Sequence, residues 1–203
     1  MNYVICDYSK IKKTFPEMEA TVDALEDVLI QKAIDDWKIP YGGLYPKAGE
    51  FGKTTIMPEL FNVGQYDTGV LFRPNDWRGW LGTNMTIPGH NTIMQGAATN
   101  GNIYEDFKIG IVGLVFLDPV LRVSEIKMQI SDKKLPRMNI EEAFMYEHPA
   151  IVFENGYILD EETGFHLYAY CLTEGPQRIK LIGVQLNRVP NKLQGTNPGA
   201  AIA

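Results

Sequence analysis

The chain is short of the residues that usually announce chemistry. Among 203 residues there are two cysteines, Cys6 and Cys171, and three histidines, His90, His148 and His166. Two cysteines cannot build a disulfide framework. The histidines are scattered, with no H-x-H or H-E-x-x-H, so the spacing that gathers metal ligands is missing. No G-x-S-x-G, phosphate-cradling G-x-x-x-x-G-K-[ST] or dinucleotide fingerprint occurs, and no cofactor or metal is expected. Positive charge is also scarce: 19 Lys and Arg against 25 Asp and Glu leave a formal net charge of -6. A protein that displaces counterions from phosphates needs the opposite balance, so direct nucleic-acid binding is not expected. Lys10, Lys12 and Lys13 read as a solvated turn. No apolar run approaches the roughly 18–20 residues that span a bilayer. The opening MNYVICDYSKIKK lacks the basic-then-apolar order of a signal peptide. The expected location is intracellular, or inside a particle assembled there.

What is present is ordinary globular material, 45% hydrophobic and 22% charged. A chain of this size buries roughly 70% of its unfolded surface, enough for a core without staples. The spacing predicts one long helix over Pro16 to Trp37, with an apolar stripe at Met18, Val22, Leu25, Leu29, Ala33 and Trp37. Val28, Ile30 and Ile34 widen that stripe, and Glu17, Glu19 and Asp23 suit the positive end of the helix dipole. Pro40 and Gly42-Gly43 stop it. So wide a stripe needs a partner surface, either the same domain or a neighbouring subunit.

Residues 41–102 read as loop-rich, with short strands at Thr54 to Met57 and Val70 to Arg73 and turns at 46–49 and 74–76. Beyond residue 100 the β signal strengthens. Ile109 to Leu117 is apolar on both faces, as a central strand is. In Leu121 to Ile130 the apolar phase shifts, so a β-bulge is expected near Ser124-Glu125. Asn139 to Met145 suggests a short helical turn. Asn155-Gly156, between Ala150–Glu154 and Tyr157–Asp160, reads as a hairpin turn, and Asn100-Gly101 as a second one. Phe165 to Leu172 alternates, with Phe165, Leu167, Ala169 and Cys171 on one face and His166, Tyr168 and Tyr170 on the other. In Ile179 to Val189, Ile182, Val184 and Leu186 share a face. Strands joined by turns predict a mainly β fold, an antiparallel β-sandwich with one long N-terminal helix. The expected division is a helical arm over 1–45, the sandwich over 46–189 and an extended tail over 190–203.

Catalytic constellations are hard to find in this pattern. Cys171 and His166 lie on opposite strand faces and form no local dyad. Glu105-Asp106, Asp35-Asp36 and Glu141-Glu142 are adjacent pairs; in a strand Glu105 and Asp106 point to opposite faces and make a poor acid–base pair. Asp160-Glu161-Glu162 sits in an expected turn, where acids are solvated or hold a weak ion. The candidate contact residues are Trp77 and Trp80 in a loop, His166, Tyr168 and Tyr170 on one strand face, and Val22, Leu25, Leu29 and Trp37 on the helix.

The order of helical arm, loop-rich middle, β core and extended tail resembles viral jelly-roll coat proteins. The stretch FHLYAYCLTEGPQRIKLIGVQLNRV, Phe165 to Val189, is similar to the closing strands of such a domain. The resemblance implies a jelly-roll-like core and a self-assembling, non-enzymatic capsid subunit, partnered by copies of itself or other virion proteins. Two other readings stand beside it. One is a carbohydrate- or ligand-binding sandwich using Trp77, Trp80 or the Tyr168 face. The other is a cupin-like metal enzyme using His90, placed in a loop.

Overall fold

The computed structural model of the protein describes residues 3–8, 16–37, 51–56, 59–63, 70–72, 77–81, 86–105, 107–118 and 120–188. The lysines at 10, 12 and 13, the turns at 46–49 and 74–76, Asp106 and the tail at 190–203 lie outside them. Within the described residues the chain is mainly β, two antiparallel sheets with a single long helix near the N-terminus.

One sheet runs, in spatial order, β1 (Tyr3–Asp7), β11 (Pro149–Leu159), β7 (Phe107–Phe116), β13 (Gly175–Arg188) and β2 (Phe51–Thr55), with β3 (Glu59–Val63) also pairing β13. The other runs β10 (Met138–Asn139), β8 (Val123–Ile130), β12 (Phe165–Cys171), β6 (Gly89–Gly96), β5 (Arg78–Leu81) and β4 (Val70–Phe72), with β9 (Lys133–Lys134) against β8. The pairs are nested in sequence: β2 and β3 with β13, β6 with β12, β7 with β11, β8 with β10. Successive pairs alternate between the sheets, which is the winding of a jelly roll.

The core lies between the sheets. Ile109, Ile111, Leu114 and Phe116 of β7 meet Ile126, Met128, Phe165 and Leu167 of the facing sheet there. All of β7 is buried, as the apolar run from Ile109 onward predicts. Its inward phase jumps from Ile111 to Leu114 because Val112 is an extra residue against β13, where Ile182 pairs with Gly113 and Gly183 with Ile111. The bulge expected near Ser124 is present. Tyr170 pairs with Glu125 and Cys171 with Val123, so Ser124 is skipped and Val123, Ile126 and Met128 all reach the core.

The helix α1 (Pro16–Asp36) roofs the outer face of the first sheet, over β7, β11 and β13. Its stripe is therefore satisfied by the chain's own sheet. Leu29, Ala33, Ile34 and Trp37 are buried, and Val22, Leu25 and Ile30 pack half-buried beside them. Val28 is not part of the stripe: it is 47% exposed, on the flank turned from the sheet. Leu25 is seated by what its neighbours lack. A Cβ added at Gly110 of β7 would come 2.6 Å from Leu25 Cδ2, and one at Gly156 of β11 2.8 Å from the same atom. Two adjacent strands thus leave a recess in which the leucine sits, so their glycines serve close approach.

Several sequence expectations are corrected. Asn155-Gly156 makes no hairpin, because β11 runs straight through it. Both halves of the strand pair with β7, Val152 with Gly113 and Tyr157 with Ile111, so three extra residues bulge out under the helix. Neither residue takes the positive φ that a type I′ turn requires. Asn100 and Gly101 do, at 62° and 75°, but their turn leads from β6 toward the opposite sheet. The middle of the chain is less loop-like than its composition suggests, since β3, β5 and β6 lie there besides β2 and β4. The short helical turn is found as a 3-10 turn over Glu141–Met145.

Candidate functional site

The two tryptophans set in an expected loop are not displayed together. Trp77 is wholly buried, its indole Nε1 donating to Gln185 Oε1 at 2.8 Å and its ring edge-on to Phe165 at 5.8 Å. It is a core residue bridging the sheets. Trp80 lies in β5, in register with Met94 of β6. His90 is likewise not in a loop but on β6, paired with Tyr170. Among the described residues no three of His, Cys, Asp and Glu converge as a metal-holding set.

The β12 face is as the alternation predicts. Phe165, Leu167, Ala169 and Cys171 are buried, while His166, Tyr168 and Tyr170 are half-buried on the outward face. The structure adds neighbours from β6, β8 and the approach to β10. His90 stands edge-on to Tyr170 at 4.8 Å between centroids, and Arg137 Nη1 lies 3.1 Å from His90 Nε2. Arg137 also lies 3.7 Å from Glu125 Oε2, an atom buried without a hydrogen-bond partner. Lys127 Nζ sits 5.4 Å from the Tyr168 ring centre, and the Tyr168 hydroxyl donates to Gln129 Oε1 at 3.2 Å. Between them is a cavity of about 70 Å³ lined by His90, Glu125, Lys127, Arg137, Tyr168 and Tyr170, with Ile126 and Ala169 also lining it. Burial holds the His166 imidazole below its ordinary pKa, so it is neutral at pH 7.

A second cluster pins the helix. Lys108 sits on the β7 face turned to the helix, and its side chain is wholly buried. Its Nζ reaches Asp36 at 2.6 Å, Asp160 at 2.5 Å and Glu161 at 3.7 Å, and lies 5.6 Å from the Trp37 ring centre. Lys32 holds the other Asp160 oxygen at 2.6 Å, and Trp37 Nε1 donates to Glu161 Oε1 at 2.5 Å. Asp36 closes the helix at its negative end, where an acid is unfavourable until a cation answers it. Burial works against the Lys108 ammonium, but the hydrogen bonds and charges of the carboxylates outweigh it and raise its pKa. Burial also opposes ionisation of Asp160, yet Lys108 and Lys32 hold its carboxyl below the usual range. Glu161 goes the other way: burial, with Asp160 and Asp36 nearby, pushes its carboxyl up against the pull of Trp37 and Lys108. The Asp160 turn is therefore more than a solvated loop: Asp160, itself 30% exposed, is the counter-charge for a buried lysine.

The third feature is one end of the sandwich. Ala150 pairs with Val115, so the connection entering β11 starts beside the connection leaving β7. These two connections carry Val120, Leu121, Met145 and Tyr146, all exposed, with Met145 at 85%. They are firmly held. Phe116 and Phe144 rings lie 5.1 Å apart, Asp118 pairs with Arg178 at 2.7 Å, and Arg122 donates to the Glu174 and Pro176 carbonyls. The Arg178 guanidinium keeps the Asp118 carboxyl below its ordinary pKa.

These features belong to an antiparallel sandwich of jelly-roll winding, roofed on one face. Comparison with family models, curated proteins and solved structures finds no match to the chain. No helix among the described residues is long and apolar enough to cross a membrane.

Proposed function

We propose that the protein is a self-assembling structural subunit, a coat protein of a virus particle built on a jelly-roll core. Sandwiches of this winding serve coats, lectins and metal enzymes alike, so the fold does not choose among them. The observation that carries the reading is the exposed apolar end. Val120, Leu121, Met145 and Tyr146 project from connections pinned by the Asp118–Arg178 pair, the Arg122 contacts and the Phe116–Phe144 packing. Exposed apolar side chains on two neighbouring, well-anchored connections mark a contact surface. A second copy of the chain is the occupant, and repetition of that contact about a symmetry axis closes a shell.

The test is the size distribution of the purified protein by light scattering and negative-stain microscopy, over a range of concentration, salt and pH. Oligomers or particles are expected. Burying an apolar side chain of this size contributes about 1.5–3 kcal/mol. The double variant Leu121→Asp, Met145→Asp should therefore weaken association by at least about a hundredfold, with the far-ultraviolet spectrum unchanged. A protein that stays monomeric under every condition overturns the reading.

A further inference from the structure

We propose that the outward face of β12 is a binding site for an acidic sugar, a pyranose carrying a carboxylate or sulfate. The inference is independent of the assembly reading, because this face belongs to the sheet that the helix leaves uncovered. It rests on three observations that meet at one cavity.

The first is shape. The roughly 70 Å³ hollow has Tyr170 with its edge-on His90 and Tyr168 with Lys127 among its walls. It has room for a substituent of a few heavy atoms, leaving the ring of a sugar to lie against the tyrosines. Tyrosine suits this role because it offers an apolar body and a polar tip at low entropic cost.

The second is hydrogen-bonding chemistry. Glu125 Oε2 is a buried acceptor with no partner, and the Arg137 guanidinium beside it, at 3.7 Å, supplies donors. A group that both donates to the carboxylate and accepts from the guanidinium satisfies the pair. A hydroxyl does both, whereas a bare anion or a bare cation serves only one of them.

The third is charge. Arg137 and Lys127 face a single carboxylate, Glu125, so the patch is locally positive in a chain whose formal net charge is -6. Lys127 has no carboxylate partner among the described residues. A hydroxylated ring bearing one negative group matches both the donor–acceptor pair and this surplus cation.

The experiment is an array of paired neutral, carboxylated and sulfated oligosaccharides. It is followed by calorimetric titration of the best ligand into the full chain and into Arg137→Ala, Glu125→Gln and Tyr168→Ala. Arg137 is exposed, so its variant is expected to melt as the parent does; Glu125 is half-buried, and its variant is melted alongside. A melting curve for Tyr168→Ala separates lost binding from lost fold. Binding of acidic glycans, weakened at least tenfold by Arg137→Ala and reduced by added salt, is the expected result. Glu125→Gln should change affinity less, because it weakens one hydrogen bond while adding to the positive field. Three outcomes overturn the proposal. These are no glycan bound at millimolar concentration, neutral and acidic members of a pair bound equally, or self-association lost in Arg137→Ala with no glycan bound, which would make the face a contact between copies.

Discussion

Asp160→Asn is expected to destabilise the protein more than Lys108→Met, although the two residues form one ion pair. The asymmetry follows from who can reach water. The Lys108 side chain is wholly buried, whereas Asp36 and Asp160 are 47% and 30% exposed. Removing the lysine leaves carboxylates that solvent can serve, and methionine fills most of the vacated stem, so the cost is about 1–2 kcal/mol. Removing the Asp160 charge leaves a buried ammonium with only Asp36 in direct contact and frees Lys32 as well, at a cost of about 3 kcal/mol. In a chain of this length that lowers Tm by roughly 6–12 °C. The double variant should be more stable than Asp160→Asn alone, because the stranded cation is gone, giving a coupling of about 2 kcal/mol. Urea unfolding followed by tryptophan fluorescence is the assay, since Trp37 bonds to Glu161 inside the same cluster. An Asp160→Asn cost below about 1 kcal/mol, with no recovery in the double variant, would refute the reasoning.

Two further outcomes test the electrostatics and the core. Glu161 has a folded pKa above its unfolded value and Asp160 one below. As pH falls through the folded Glu161 value toward the unfolded one, that residue adds stability; Asp160 removes stability only at lower pH, below its unfolded value. Glu161→Gln keeps an acceptor for Trp37, so it should stabilise the protein at pH 7 and flatten the upper acid limb of a stability–pH curve; a less stable variant at pH 7 counts against the assignment. Burial pushes the Cys6 thiol up to about 11 and also raises Cys171. Both should resist a thiol reagent at pH 8 until denaturant is added, and rapid native labelling would contradict their placement.

Much of the sandwich was legible where the two-residue period ran long enough to read. The alternation of Phe165 to Cys171 and the phase shift at Ser124 needed no tertiary information, because burial on one face dictates both. Asn155-Gly156 misled because local turn preference lost to pairing: continuing along β7 satisfies more backbone groups than a hairpin, and the glycine serves the Leu25 recess instead. The strands of the middle third span only three to eight residues amid Gly, Pro and Asn, too few repeats for a period to show. The site was half legible. His166, Tyr168 and Tyr170 follow from the strand period, but Arg137 and His90 come from segments 47 residues apart and only the fold joins them. Lys108 carries a signal, since one lysine in an otherwise apolar strand demands a counter-charge, but only the fold decides that Asp36 and Asp160 supply it. Trp77 had none, since its partner Gln185 lies 108 residues away.

The nested pairing also orders events in time. The innermost pairs, β8 with β9 and β8 with β10, join residues from three to about a dozen apart, as Ile130 with Lys133 and Ile126 with Met138. The outermost joins Thr55 to Val184. Between them, β13 is the strand that separates β7 from β2 and β3, and it is the last one described. During synthesis the helix-bearing sheet therefore stays split, with β7 presenting an unpaired edge, until residues near 188 have left the ribosome. Such late, long-range closure is slow, and the open edge is a template for wrong pairing while it lasts. A chain stopped before β13 would forfeit the seam of a whole sheet rather than trim a margin, and expression yield should fall sharply at that boundary.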